Sequence, residues 1–264
     1  MAAIEAKIAV IGGTGIADPE VFKTIKEMKV KTPFGNPSDK IKITELNGKK
    51  VAFLPRHGSG HTIPPHMVNY RANIHALKSL GVERVIGLAA VGSLRESMKA
   101  GHIVIPDQFI DMTRQRKLTF YDGPKVVHVS VADPFCSQMR KLVIERVKKL
   151  RIPMHEKGTY ICVEGPRFST RAESRLWRVM SADIIGMTLV PEAQLAREAE
   201  MCYLSISSVT DYDVWADRPV SAREVGETMK KNTVNVQEIL KSLLPDIPEN
   251  RGCQCGEALR DAGL

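Results

Sequence analysis

The sequence predicts a single-domain α/β fold, with a large, mostly parallel or mixed twisted sheet flanked by helices. Three observations predict it. Short apolar runs rich in β-branched residues recur at 8–11, 51–54, 82–88, 158–163 and 201–210, as buried strands do. Amphipathic stretches with helix start and stop signals alternate with them. No repeat or linker interrupts the alternation, and 264 residues with 43% apolar and 26% charged side chains make one ordinary domain with a sizeable core.

Residues 7–16, KIAVIGGTGI, read as a strand running into a glycine turn whose backbone amides approach an anion, with Thr14 adding a hydroxyl. The turn lacks the third glycine of a dinucleotide fingerprint and the Gly-Lys-Thr of a P-loop. The strand at 51–54 ends in PRHGSGH (55–61), where Arg56, His57 and His61 suit an oxyanion. Metal ligation by the two histidines is the rival, disfavoured by Gly58 and Gly60 and by the lack of a carboxylate. Residues 68–80 form an amphipathic helix closed by Gly81. A strand at 82–88 leads to the small-residue turn Ala89-Ala90-Val91-Gly92-Ser93. Residues 101–111 read as one strand and 114–125 as irregular, with His128 in a short alternating segment beyond.

Asp133-Pro134 opens a helix to about Leu150, with basic residues at its end. The strand at 158–163 runs into EGPRFS (164–169), and Thr170 with Glu173 forms a capping box for a helix to Met180. Residues 182–188 give a short strand and turn, and Pro191-Glu192 starts a helix to Glu200. Strand 201–210 ends at Asp211-Tyr212-Asp213. Ser221 and Glu224 form a second capping box, opening a helix to about Leu244 that Pro245 stops. The domain is therefore 1–245, and the tail 246–264, poor in apolar residues, is expected on the surface.

Composition narrows the function. The net charge is +8, which suits anionic small substrates, but the basic residues are scattered and aromatics are only 5%, so no nucleic-acid site is indicated. No apolar run has membrane-span length and the N-terminus enters a strand at once, so a cytoplasmic protein is expected. Seven Asn and six Gln hint at a thermophilic source. Five cysteines are no secreted framework. Cys253 and Cys255 are too few for zinc alone, and bridges within Cys253–Cys255 or between Cys136 and Cys202 stay open.

Thr14, Arg56, Ala90, Phe168, Thr188 and Asp211 each fall just after a strand, and α/β folds bind ligands beyond the carboxyl ends of their strands. Asp211 and Asp213, at i and i+2 of an extended chain, point to one side and raise each other's pKa, which makes a proton-holding acid. An acidic loop capping the next helix is the alternative for this stretch alone.

IGGTGI, LPRHGSGH with PPHMVNYRAN, CVEGPRFSTRAES, ADIIGMTLVPEAQLAREAEMCY and VTDYDVW, in this order, resemble the methylthioadenosine phosphorylase family of the trimeric purine nucleoside phosphorylases, archaeal in type, over about 7–245. The resemblance implies a nucleoside phosphorylase-like fold and phosphorolysis of a glycosidic bond, with phosphate as co-substrate and neither metal nor organic cofactor. It implies phosphate at Thr14, Arg56, His57, Ala89, Ala90 and Thr188, and ribose at Met187. Phe168 and Ser169 are implied at the base, and Asp211, Tyr212 and Asp213 at its purine edge, with Asp211 and Asp213 catalytic. Val225 is implied near the 5′ group, and His128 at the 5′ side of a neighbouring subunit's substrate, in a trimer or a dimer of trimers. Two departures stand out. Ala89 replaces a threonine common in the family. Ala222, Val225 and Gly226 are small where bulky residues usually meet the methylthio group, which implies a roomier pocket that admits adenosine, and broad action on inosine or guanosine as the alternative. A nucleosidase using water is a further alternative.

Overall fold

The computed structural model describes residues 5–13, 22–216 and 220–263. The elements in chain order are strands β1 (Ile8–Gly12), β2 (Lys23–Met28), β3 (Ile41–Leu46) and β4 (Lys49–Pro55), helix α1 (Tyr70–Ser79), and strands β5 (Arg84–Ser93), β6 (Ile103–Val104) and β7 (Gln108–Met112). Then come helix α2 (Ser137–Leu150), strands β8 (Met154–His155) and β9 (Thr159–Val163), helix α3 (Arg171–Val179) and strand β10 (Ile184–Gly186). Helix α4 (Glu192–Glu198), strand β11 (Cys202–Asp211) and helix α5 (Ala222–Leu243) complete the chain's main elements. The described strands join one mixed sheet in the order β2-β3-β4-β1-β5-β10-β9-β7, with β11 on β5 and β6, and β8 on β6. The expected α/β class with a mixed sheet is therefore the fold observed.

Position in the sheet follows from side-chain character. β1 and most of β5 are buried on both faces, as parallel strands covered by helices must be. β2 is exposed along nearly its whole length and carries Lys23 and Lys26, charges that discourage edge-to-edge pairing. One apolar layer joins Ile74 and Leu77 of α1 to Leu195 of α4 against the sheet. The opposite layer joins Met139, Val143 and Val147 of α2 to Val236, Ile239 and Leu243 of α5.

The helix signals act largely as read. Thr170 and Glu173 make both halves of their capping box. Ser221 makes only one half: its side chain accepts the Glu224 N–H at 3.2 Å, while the Glu224 carboxylate turns to the Ser221 hydroxyl rather than to the backbone. The expected strand at 101–111 is two strands, because residues 105–107 around Pro106 leave the ladder between β6 and β7. The helix expected from Asp133 begins at Ser137.

The tail differs most from expectation. Ile247, Cys255 and Ala262 are buried, and His128 donates its backbone N–H to Ala262 O at 2.7 Å. Cys253 and Cys255 pack beside Cys136, at the N-terminus of α2, and Cys202, at the start of β11; their four sulfurs lie within 4.8 Å of one another. All five cysteines are free thiols, so neither bridge considered from sequence is formed. Cys202 Sγ lies 3.4 Å from Cys253 Sγ, a thiol contact rather than a bond.

Candidate active site

The C-terminal ends of β1, β4, β5, β10 and β11 open onto one cavity of about 510 Å³. Arg56, His57, Ala89, Ala90, Phe168, Ser169, Met187, Thr188, Asp211, Asp213 and Val225 all line it. This is the edge the sequence pointed to. Thr14 lies outside the described residues; its neighbour Gly13 lines the cavity.

At one end stands Arg56, 2% exposed. Its Nε and Nη2 reach the two carboxylate oxygens of Glu192, each at 2.7 Å, a bidentate geometry that fixes the plane of the guanidinium. The Glu192 carboxylate also holds the guanidinium charge firmly in place, driving its pKa above the usual arginine range against the effect of burial. Beside it, His57 Nδ1 contacts Ile63 O at 2.9 Å. Burial, reinforced by the Arg56 charge, lowers the His57 pKa to about 4, so the ring is neutral at pH 7 with Nδ1–H donating to the carbonyl. His57 and His61 lie tilted with ring centroids 4.5 Å apart, and among the described residues no acidic group joins them in a metal-ligand cluster, which favours the oxyanion reading of this loop over the metal one.

At the other end stand the acids. Asp211 Oδ2 accepts from Thr210 Oγ1 at 2.7 Å, and its Oδ1 accepts the Asp213 N–H at 2.8 Å. The two carboxylates therefore meet through a turn, with Asp213 at φ +46°, and not through the alternation of an extended strand. Both pKa values are raised, chiefly by burial. The neighbouring charge is a minor cause for Asp213, which corrects the expectation that mutual repulsion dominates. Asp213 Oδ2 is buried without a hydrogen-bond partner; the hydroxyls of Ser169 and Ser174 lie alongside.

Between the ends lie Met187, Thr188 and Ala89-Ala90; the turn expected at 89–93 is instead the continuation of β5, with Ala89 and Ala90 paired to Ser207 and Ser208 of β11. The buried Tyr160 hydroxyl sits beneath Gly186, whose missing side chain leaves it room. Phe168 is half exposed at the cavity wall, where a flat ligand can cover it. Two expected residues lie elsewhere. Tyr212 packs edge-on against Trp215, centroids 5.6 Å apart, and does not line the cavity. His128 is exposed and does not line this chain's cavity. Met229 joins Val225 at the wall, so the pocket near α5 is less bare than Ala222, Val225 and Gly226 suggested.

Among the described residues, the group with metal-ligand chemistry is the four-cysteine cluster. It lies at the opposite end of β11 from Asp211, roughly 30 Å away along a ten-residue strand.

The sequence profile of the Phosphorylase superfamily matches residues 7–245. The chain belongs to that superfamily. This phosphorylase-superfamily chain is 62% identical to the S-methyl-5′-thioadenosine phosphorylase of Thermofilum pendens, over 97% of this chain and 98% of that protein. It is 60% identical to the protein of the same name from Saccharolobus solfataricus, over 98% and 97%. Among solved structures, it superposes with a TM-score of 0.94 on a methylthioadenosine phosphorylase from an antarctic soil metagenomic library, at 46% identity and covering 98% and 92% of the two chains. A mutant adenosine/methylthioadenosine phosphorylase from Schistosoma mansoni, in complex with methylthioadenosine, superposes at 0.90 with 39% identity, covering 97% and 96%. The fold of the superfamily chain is thus the nucleoside phosphorylase fold.

Sequence reading missed Glu192, Tyr203 and Met229 in this phosphorylase fold. Glu192 was legible only as the first residue of a helix. Met229 carried a signal: it follows Val225 by four residues, on the same face of α5.

Proposed function

We propose that this chain catalyses phosphorolysis of 5′-methylthioadenosine to adenine and 5-methylthioribose 1-phosphate, and accepts adenosine as well. One observation carries the reading: a single cavity holds a buried arginine at one end and two carboxyls, both with pKa raised chiefly by burial, at the other. Arg56 is anchored at Leu88 O, 2.7 Å away, and Asp211 is paired with Gly92 on the same strand. Four residues of strand span roughly 13 Å, room for phosphate, pentose and purine laid end to end.

Arg56, neutral His57, Thr188, the Ala89-Ala90 stretch of β5 and Thr14 hold phosphate as co-substrate. Phosphate attacks the anomeric carbon while positive charge spreads over the ribose, which rests on Met187. The purine leaves with the bond's electron pair and takes a proton on its five-membered ring from Asp211, a general acid. Asp213, with a buried oxygen lacking a partner, accepts from the 6-amino group, and a 6-oxo group there leaves it unsatisfied. Phe168 and Ser169 flank the base, and Val225 with Met229 meets the 5′ group. The reading needs no metal or organic cofactor and goes with a cytoplasmic enzyme. His128 reaches the 5′ side of a neighbouring subunit's substrate in a homotrimer or a dimer of trimers; exposed Leu118, Val126 and Val131 in the same segment support such an interface.

The test is base release from methylthioadenosine, adenosine and inosine, with and without phosphate. The expected result is phosphate-dependent release from the two adenine nucleosides, with inosine slower by about a hundredfold or more. Release that continues unchanged without phosphate refutes phosphorolysis, and equal turnover of inosine refutes the role given to Asp213.

A further inference from the structure

A guanidinium has five N–H donors, and Arg56 spends most of them inside the protein. Nε donates to Glu192 Oε2, and Nη2 to Glu192 Oε1 and, more weakly at 3.3 Å, to Ile11 O. Nη1 donates to Leu88 O at 2.7 Å. One Nη1 donor is left over, on a residue that lines the cavity. We propose that Glu192 is a positioning residue of the phosphorolysis site, holding Arg56 so that this last N–H alone meets the phosphate. The inference rests on the phosphate reading given above.

The holder is itself held. Glu192 is fully buried at the first turn of α4, and Tyr203 of β11 donates its hydroxyl to Glu192 Oε1 at 2.8 Å. Space for both comes from Gly87 of β5: a Cβ there would lie 3.0 Å from Glu192 Oε1 and collide with the Tyr203 hydroxyl. Residues of β1, β5, α4 and β11 thus converge on one guanidinium that follows β4. A buried ion pair adds little to stability compared with apolar side chains of the same volume, so stability alone is a weak account of one with every carboxylate oxygen engaged. Aiming a donor accounts for it. The pair is also electrically balanced, so Arg56 grips the anion without cancelling the charge that the anion brings to the reaction.

Glu192→Gln keeps the shape but places an amide N–H₂ against one of the Arg56 donors, forcing the guanidinium to rotate. Tyr203→Phe leaves the ion pair and removes one support of the carboxylate. The measurements are kcat/KM for phosphate at saturating methylthioadenosine, and the Kd of adenine by calorimetry. For Glu192→Gln, kcat/KM for phosphate is expected to fall by about tenfold or more while the adenine Kd stays within about twofold. Tyr203→Phe is expected to shift kcat/KM for phosphate the same way by about two- to fivefold. An unchanged phosphate parameter in folded Glu192→Gln overturns the proposal, and so does a parallel loss of adenine binding, which is the mark of a merely structural role. If Glu192→Gln does not fold, Tyr203→Phe decides alone, and an unchanged phosphate parameter overturns the proposal. A wild-type protein that releases adenine without phosphate refutes the phosphate reading instead, whatever the variants do.

Discussion

Replacing Asp211 tests the chemistry most directly. The side chain is half-buried, its Oδ2 accepts from Thr210 and its Oδ1 caps the Asp213 N–H. Asp211→Asn keeps that cap and the shape but has no proton to give to the purine. General acid catalysis contributes about 10²–10⁴ in rate, or roughly 3–5 kcal/mol of barrier, and the loss should fall on kcat. Asp211→Ala should lose at least as much, at near-native stability. The assay is adenine release from methylthioadenosine at saturating phosphate, across pH. Burial raises both carboxyl pKa values, so the acid is present at low pH and lost as pH rises through the raised value. The wild type should therefore decline on its basic limb, with an apparent pKa belonging to the pair, and Asp211→Asn should lack that limb. The same shift bears on stability. The folded state binds more protons than the unfolded state between the ordinary aspartate value and the raised one, so the pair's contribution falls as pH rises through that window. A kcat for Asp211→Asn within about threefold of wild type, with the basic limb intact, removes Asp211 from the acid role.

Gly92→Ala should cost at least about tenfold in kcat, because a Cβ there would lie 2.9 Å from Asp211 Oδ1 and 3.1 Å from Ile185 Cγ2; wild-type turnover in the variant shows that the placement of Asp211 is not critical. His128→Ala should raise KM for 5′-substituted nucleosides by several-fold with little change in kcat, and an unchanged KM leaves His128 an ordinary surface residue. Mild oxidation of the folded protein with oxidised glutathione should consume the thiols of Cys136, Cys202, Cys253 and Cys255, whose sulfurs lie within 4.8 Å of one another, and spare Cys162, which has no place in that cluster. Thiol counts follow the oxidation, and kcat should stay within about twofold; activity that falls in step with the thiols shows a coupling of cluster to site across β11.

The sheet and the edge that carries the cavity were legible because the sequence marks them locally. Apolar runs end in PRHGSGH, EGPRFS and VTDYD, and parallel strands deliver their ends to one side. What stayed hidden depends on contacts remote in sequence. Glu192 lies 136 residues from Arg56, and nothing local separates a helix-starting glutamate from an arginine's partner. The hairpin of β2 and β3 was missed because exposed, charged KTIKEM lacks the apolar pattern of a buried strand. The tail was misjudged on composition: a few side chains, Ile247, Cys255 and Ala262, suffice to dock it. Asp211 and Asp213 both reach the cavity, though not by the alternation of an extended strand, since Asp213 turns back at positive φ and burial is the chief cause of its raised pKa.

Under the proposed phosphorolysis, the charges of the cavity also give phosphate two roles, nucleophile and catalyst. Arg56 is balanced by Glu192 at 2.7 Å. His57 is neutral at pH 7, with its pKa near 4, and burial pushes both aspartates toward their neutral forms. The Arg56–Glu192 pair and His57 therefore bring little net charge to the ligand, and the anion brings its own. A pentose cation forming beside it feels a negative charge that the protein orients and does not neutralise, in a site where charge interactions are weakly screened. Were Arg56 unpaired, phosphate would bind against a full positive charge that opposes the developing cation. The ion pair and the raised acids serve the same end: one leaves the nucleophile its charge, and the other removes the charge of the leaving group.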